Sequence, residues 1–165
     1  MSTHDHHFRV WRGDAEGGEL VDYPVEVNDG EVVLDIIHRL QQTMHDLVGI
    51  IRTRPEMEQA LERIAALKER VANLSVEGHR QYNPGWHLAL DLPHMLLVSE
   101  CIAKAALERQ ESRGGHTRDD FPASDAEWAK TNLICTPTAD GGVAVRHQPL
   151  PQMPPELAEI FEETA

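Results

Sequence analysis

From Val33 to Ile51 the apolar residues Val33, Ile36, Ile37, Leu40, Met44, Leu47, Val48 and Ile51 recur in steps of three and four, the spacing of one buried helical face. No phase slip interrupts the stripe across Leu40 to Met44, so it predicts a single rod of about 30 Å. Met57, Leu61, Ile64, Leu67, Val71 and Leu74 form a second stripe. It predicts a helix opened by Thr53 and Pro55, because a proline in a first turn removes an amide that would be unpaired anyway. A third helix is expected from Trp86 to about Arg109, with Pro93 as a kink or restart. Aromatic residues make up 5% of the chain, so the core must be largely aliphatic, which suits packed helices better than a β-sandwich.

Before the first helix, HHFRVWR and LVDYPVEV alternate in side-chain character and are separated by GDAEGGE, the pattern of a β-hairpin. Asn28, Asp29 and Gly30 form a turn able to cap a helix beginning near Glu31. After the third helix, ESRGGHTRDDFP reads as irregular and polar, SDAEWAK as a short helix capped by Ser124, and TNLICTP with GGVAVRHQP as a hairpin turned at ADGG. PLPQMPPE then precedes a last acidic helical turn. The predicted fold is mainly α (α+β), an antiparallel three-helix bundle with a β-hairpin before it and a second after it.

A formal charge of −13 makes nucleic acid and anionic membrane surfaces poor partners, because phosphates call for a cationic footprint. No apolar run approaches the ~18 residues of a spanning helix, and MSTHDHHFRV lacks the pattern of a signal peptide. The expectation is a soluble, cytoplasmic chain without direct membrane insertion. Cys101 and Cys135 are its two cysteines, too few for a disulfide framework or a four-cysteine cluster site, and free thiols are expected.

Ten histidines invite a metal reading that spacing opposes. His38 and His45, like His87 and His94, stand seven residues apart, ~10.5 Å along a helix, whereas paired zinc ligands favour a spacing of three to five. The same interval separates His94 from Cys101, too far for a thiol and its base. Ser2, Thr3 and His4 offer a square of nitrogens for Cu(II) or Ni(II) if Met1 is removed, an adventitious site on a chain terminus. In ESRGGHTRDDF, Arg113, His116 and Arg118 face Glu111, Asp119 and Asp120. Arginines beside glycine-freed backbone can clasp an anion, yet a charge-paired loop tying helix to hairpin fits the same residues better. No phosphate-binding, nucleophile-elbow or H-E-x-x-H motif occurs.

QYNPGWHLALDLPHMLLVSECIAKAALERQESRGGHTRDDFP, followed by EWAKTNL and a hairpin ending in RHQPL, resembles the carboxy-terminal part of succinate dehydrogenase and fumarate reductase flavoproteins. The NPGW, ESRG-x-H-x-R-x-DFP and W-x-K-x-x-L elements stand in the family order, and the resemblance covers about residues 41–150. FRVWRGDAEGGELVDYPVEVNDGEVVLDIIHRLQ is similar instead to the amino terminus of the iron–sulfur subunit of the same enzymes. LQQT thus reads as the join of a chimera, with residues 1–40 iron–sulfur-subunit-like and residues 41–165 flavoprotein-like.

The resemblance implies mostly absences. The family's flavin-binding domain and substrate-binding His and Arg residues have no matching positions, and the C-x₄-C-x₂-C run that would hold a [2Fe–2S] cluster is replaced by MHDLVGIIR. No catalytic, cofactor-binding or metal residue is expected, and neither FAD nor an iron–sulfur cluster in this chain. Arg113, Gly114, His116, Arg118, Asp119, Phe121 and Pro122 match the family motif, with a structural role implied. The expected partners are a second copy of the chain or succinate dehydrogenase subunits, as a non-catalytic fragment or as an interaction module.

Overall fold

In a computed structural model of the protein, residues 3–14, 17–28, 33–72, 74, 76 and 81–157 are described. The expected first hairpin is present: β1 (Thr3–Asp14) pairs antiparallel with β2 (Gly17–Asn28), from Thr3 opposite Asn28 to Asp14 opposite Gly17. The cap and helix start expected at 29–31 lie outside the described residues.

Helix α1 spans Val33–Leu47, shorter than the rod that the apolar stripe predicts. Its buried face is the expected one, with Val33, Ile36, Ile37 and Leu40 in the core. The last bond runs from the Val48 amide to the Met44 carbonyl at 3.1 Å. Gly49 follows, where a Cβ would sit 2.9 Å from the His45 carbonyl oxygen. The chain then becomes strand β3 (Ile51–Arg52), paired in parallel with β4 (Thr117–Arg118). Ile50 and Ile51 are 69% and 64% exposed, so the stripe overran into a segment where apolar side chains face outward. The segment 111–122 likewise contains strand β4 and is not wholly irregular.

Helix α2 covers Arg54–Ala72. The Glu56 carboxylate accepts from the Thr53 amide at 2.7 Å and the Thr53 hydroxyl at 2.8 Å, satisfying donors at the helix entrance. Helix α3 covers Pro84–Glu108, with the Asn83 side chain accepting from the Trp86 amide at 3.3 Å. Pro93 lies inside this helix on its exposed side.

The three helices pack on one another around Ile36, Leu40, Ala60, Ile64, Leu92 and Leu96. Glu100, nearly buried on α3, is clasped by Lys68 of α2 and by Lys104 at 2.7 Å. The second hairpin is also as expected: β5 (Thr131–Pro137) pairs antiparallel with β6 (Val143–Pro149) and docks on α3, where Lys104 Nζ donates to the Val143 carbonyl at 2.6 Å.

The cap expected at Ser124 belongs to its neighbour. Asp125 Oδ1 accepts from the Glu127 and Trp128 amides at 2.7 and 3.2 Å, and the element it starts is a single 3-10 turn, Trp128–Lys130. Among the described residues no helix is long and apolar enough to cross a membrane.

Candidate functional site: a charge cluster at the end of α3

The last turn of a helix exposes carbonyls without intrahelical donors, and a cation placed there is favoured by the helix dipole as well. Arg118 fills that role and is 0% exposed. Its Nη1 donates to the carbonyls of Ala106, Leu107 and Arg109 at 3.0, 3.1 and 3.0 Å. Its Nε and Nη2 make a bidentate pair with Asp120, both at 2.7 Å, and the Phe121 ring lies 5.0 Å from the guanidinium carbon. Asp120 also accepts from the Arg54 amide at 3.2 Å, an anion at the start of α2. Two side chains thereby join the end of one helix to the beginning of another.

Glu111, also 0% exposed, is the second centre. It accepts from Arg109 at 2.6 Å, from Arg113 Nε and Nη2 at 2.9 Å each, and from the Asp125 amide at 2.8 Å. The Arg113 side chain, with the Asp125 amide and Arg109, holds its carboxyl down to about 2 against the opposing effect of burial. The guanidinium of Arg118 and the Arg54 amide hold Asp120 at about 2 in the same way. Arg109 continues to the Trp128 and Thr131 carbonyls at 3.2 and 2.9 Å and lies over the Trp128 ring at 5.2 Å. It thus ties the cluster to the second hairpin.

The remaining motif residues divide into two groups. Gly114 has a φ of 58° in the tight turn closed by the reciprocal bonds between Arg113 and His116, 2.8 and 3.0 Å; a side chain there would be strained. His116 Nε2 lies 3.3 Å from the Arg109 carbonyl, to which a protonated Nε2 donates. Burial lowers the His116 pKa, and Arg52, Arg118 and Arg109 add to the effect. Asp119 and Pro122 are exposed on the rim, and Asp119 enters through its backbone, its amide donating to the Arg52 carbonyl at 3.2 Å.

Arg109, Ser112 and Trp128 also belong to the cluster; Ser112 and Trp128 stand in the quoted family elements but were given no role there, and Arg109 lies outside them. The Ser112 hydroxyl donates to the Phe121 carbonyl at 2.8 Å and accepts from the Arg118 amide at 2.9 Å. Nothing here resembles a nucleophile with its base: the hydroxyl, the buried Glu111 and the more exposed Asp120 are committed to internal partners. The exception to this saturation is Arg52, whose buried Nε has no acceptor among the described residues. Burial lowers its pKa, with repulsion from Arg118 second.

The other candidates stay dispersed. Among the described residues no group of three or more His, Cys, Asp or Glu is gathered around a common point. His4 pairs with Val27 in the first hairpin, while its side chain, with Met1 and Ser2, lies outside the described residues. Cys101 meets Cys135 and not His94, the Cys135 Sγ lying 3.7 Å from the Cys101 carbonyl oxygen.

Residues 37–159 match the family model described as the fumarate reductase flavoprotein C-term. The fumarate reductase flavoprotein subunit of Mycobacterium tuberculosis is 35% identical over 122 residues, covering 73% of this chain and 21% of that protein. The corresponding subunit of Helicobacter pylori is 33% identical over 138 residues, covering 81% and 19%. The solved structure of Mycobacterium smegmatis Sdh1 in complex with UQ1 is similar with a TM-score of 0.72 and 50% identity, covering 83% of this chain and 24% of that one. The chain therefore spans about a fifth to a quarter of the length of these relatives.

Proposed function

The chain belongs to the fumarate reductase flavoprotein C-terminal family, and on that footing we propose that it is a non-catalytic module of the succinate dehydrogenase and fumarate reductase type, held in working shape by its charge cluster. The observation that carries this reading is the internal saturation of the cluster. Arg118, Glu111 and Asp120 spend their hydrogen bonds on helix ends and on one another, which leaves them joining elements and not presenting charge to a substrate. Under this reading Arg113, Gly114, His116, Arg118, Asp119, Phe121 and Pro122 are structural.

We infer that the described residues do not hold a flavin dinucleotide. Such a group calls for a parallel sheet whose glycine-rich turn leads into a helix N-terminus, and the one parallel pair among the described residues is two residues long on each strand. We read FAD, dicarboxylate and iron–sulfur chemistry as residing on other parts of the parent enzymes. We propose a cytoplasmic setting on the low cysteine content of the chain.

Helix α3 is apolar on two sides. Leu92, Leu96 and Ala103 face the core, while Leu90, Leu97, Val98 and Ile102 are exposed at spacings that place them along a common outer strip. A helix apolar all round is ordinarily covered. We assign this strip to docking on succinate dehydrogenase subunits, with self-association as the second reading. A sizing column with in-line light scattering and visible absorbance tests both: the docking reading expects co-elution with such subunits and its loss on Leu90→Glu with Val98→Glu. A monomer indifferent to those subunits overturns both.

The amino-terminal hairpin we read as iron–sulfur-subunit-like, which makes the chain a fusion dividing near residue 40. The family match begins at residue 37, so the join would lie within or before α1. A single peptide running from Gly13 to Arg52 in cells that make the protein is expected of a natural fusion; recovery of the two parts only on separate chains would exclude it.

A further inference from the structure

Helix α3 meets the second hairpin along one line. Cys101, Lys104 and Glu108 fall at i, i+3 and i+7, one helical face, and each touches the hairpin. The Cys135 thiol donates to the Cys101 carbonyl at 3.7 Å, Lys104 Nζ to the Val143 carbonyl at 2.6 Å, and His147 Nε2 lies 2.8 Å from Glu108 Oε1. The last two contacts fix the hairpin against the helix, and the two cysteines meet on the same line. Both residues are partly accessible.

We propose that Cys101 and Cys135 form a dithiol site that takes up an intramolecular disulfide, joining α3 to β5. The hairpin is already docked on α3 beside Cys101, held there by Lys104 and Glu108. The oxidant is a low-molecular-weight disulfide. One cysteine thiolate attacks a reagent sulfur, the reagent S–S bond breaks, and one reagent thiol departs. The second thiolate then displaces the remaining reagent thiol, forming the Cys101–Cys135 bond. Two cysteine protons are released and the reagent gains two electrons, leaving as two thiols. Burial raises the Cys101 pKa, followed by the neighbouring thiol and Glu100, so exchange at that sulfur accelerates with rising pH.

The bond would close a loop that contains Arg109 to Trp128 and so both acids of the charge cluster, with Arg52 and Arg54 outside it. Cross-linking a loop of this kind restricts the unfolded chain, so oxidation is expected to raise the unfolding temperature. The purified chain, incubated with oxidised glutathione and measured by intact mass without reductant, should lose two hydrogens. Digestion should yield one peptide pair linked through Cys101 and Cys135, and thermal unfolding should move upward and return on adding dithiothreitol. C135S should instead retain a glutathione adduct or a free thiol at Cys101. An unchanged wild-type mass, a persistent mixed disulfide, or dimers linked between chains would each overturn the proposal, and the wild-type measurement decides it even if C135S fails to fold.

Discussion

Arg118 carries a full charge at a site closed to water, an arrangement that is costly unless every donor is answered. Three carbonyls and both oxygens of Asp120 answer it. Glu111 is in the same position with opposite sign, and removing it would leave the Arg109 guanidinium with two carbonyls and no counter-ion. Glu111→Ala should lower stability by about 3–5 kcal/mol, the usual cost of breaking a buried pair from one side, read from urea unfolding. The acid dependence follows from the direction of the shifts. Glu111 and Asp120 have pKa values of about 2 in the folded protein against 4.5 and 3.8 ordinarily. Their contribution is complete above those ordinary values and lost as pH falls toward 2. His116, also lowered from 6.5, has the same sign and begins a gentler decline below its ordinary pKa. The urea midpoint should fall slowly below pH 6.5 and steeply below 4.5, and Glu111→Gln should flatten the steep part. A midpoint independent of pH down to 3 would contradict the pairing. The density of charge in ESRGGHTRDD was legible from the residues alone. Which acid meets which base was not, because Arg109, Ser112 and Trp128 acquire their roles from where α3 stops relative to β5.

At the scale of elements, the helical stripes located all three helices and the alternating segments both hairpins. The one large misreading, the length of α1, has a definite cause. Periodicity reports which side chains are apolar at a given interval, and Ile51 kept the interval while leaving the helix. What stops α1 is partly Gly49 and partly a strand partner far along the chain, since the Thr117 amide donates to the Ile50 carbonyl at 3.0 Å and the Asp119 amide to the Arg52 carbonyl. No local pattern reveals a parallel pairing of two residues per strand. Gly49→Ala tests the stop directly: a methyl group placed 2.9 Å from the His45 carbonyl oxygen must push backbone aside, costing about 1–3 kcal/mol as other overpacked sites do. A gain in stability would mean that the helix extends past Leu47 once glycine is gone. The capping error at Ser124 has a similar origin, because adjacent Ser and Asp are both good caps and only the direction of the chain after β4 selects Asp125.

Across the whole molecule, the cluster draws together residues remote in sequence, with Arg54 and Asp120 separated by 66 positions. Helical packing depends on contacts that short segments can begin to make by themselves, whereas this pairing has nothing to bond until α2 and α3 are both in place and the turn after α3 has closed. Interactions that require such prior order tend to be absent from the folding transition state. Asp120→Ala should therefore leave the refolding rate nearly unchanged and place its whole effect on the unfolding rate, as stopped-flow chevrons would show; a slowed refolding limb would put the cluster in the nucleus instead. If it forms late, the cluster acts as a latch: it sets how long a finished molecule persists and has little influence on how quickly a new one is made.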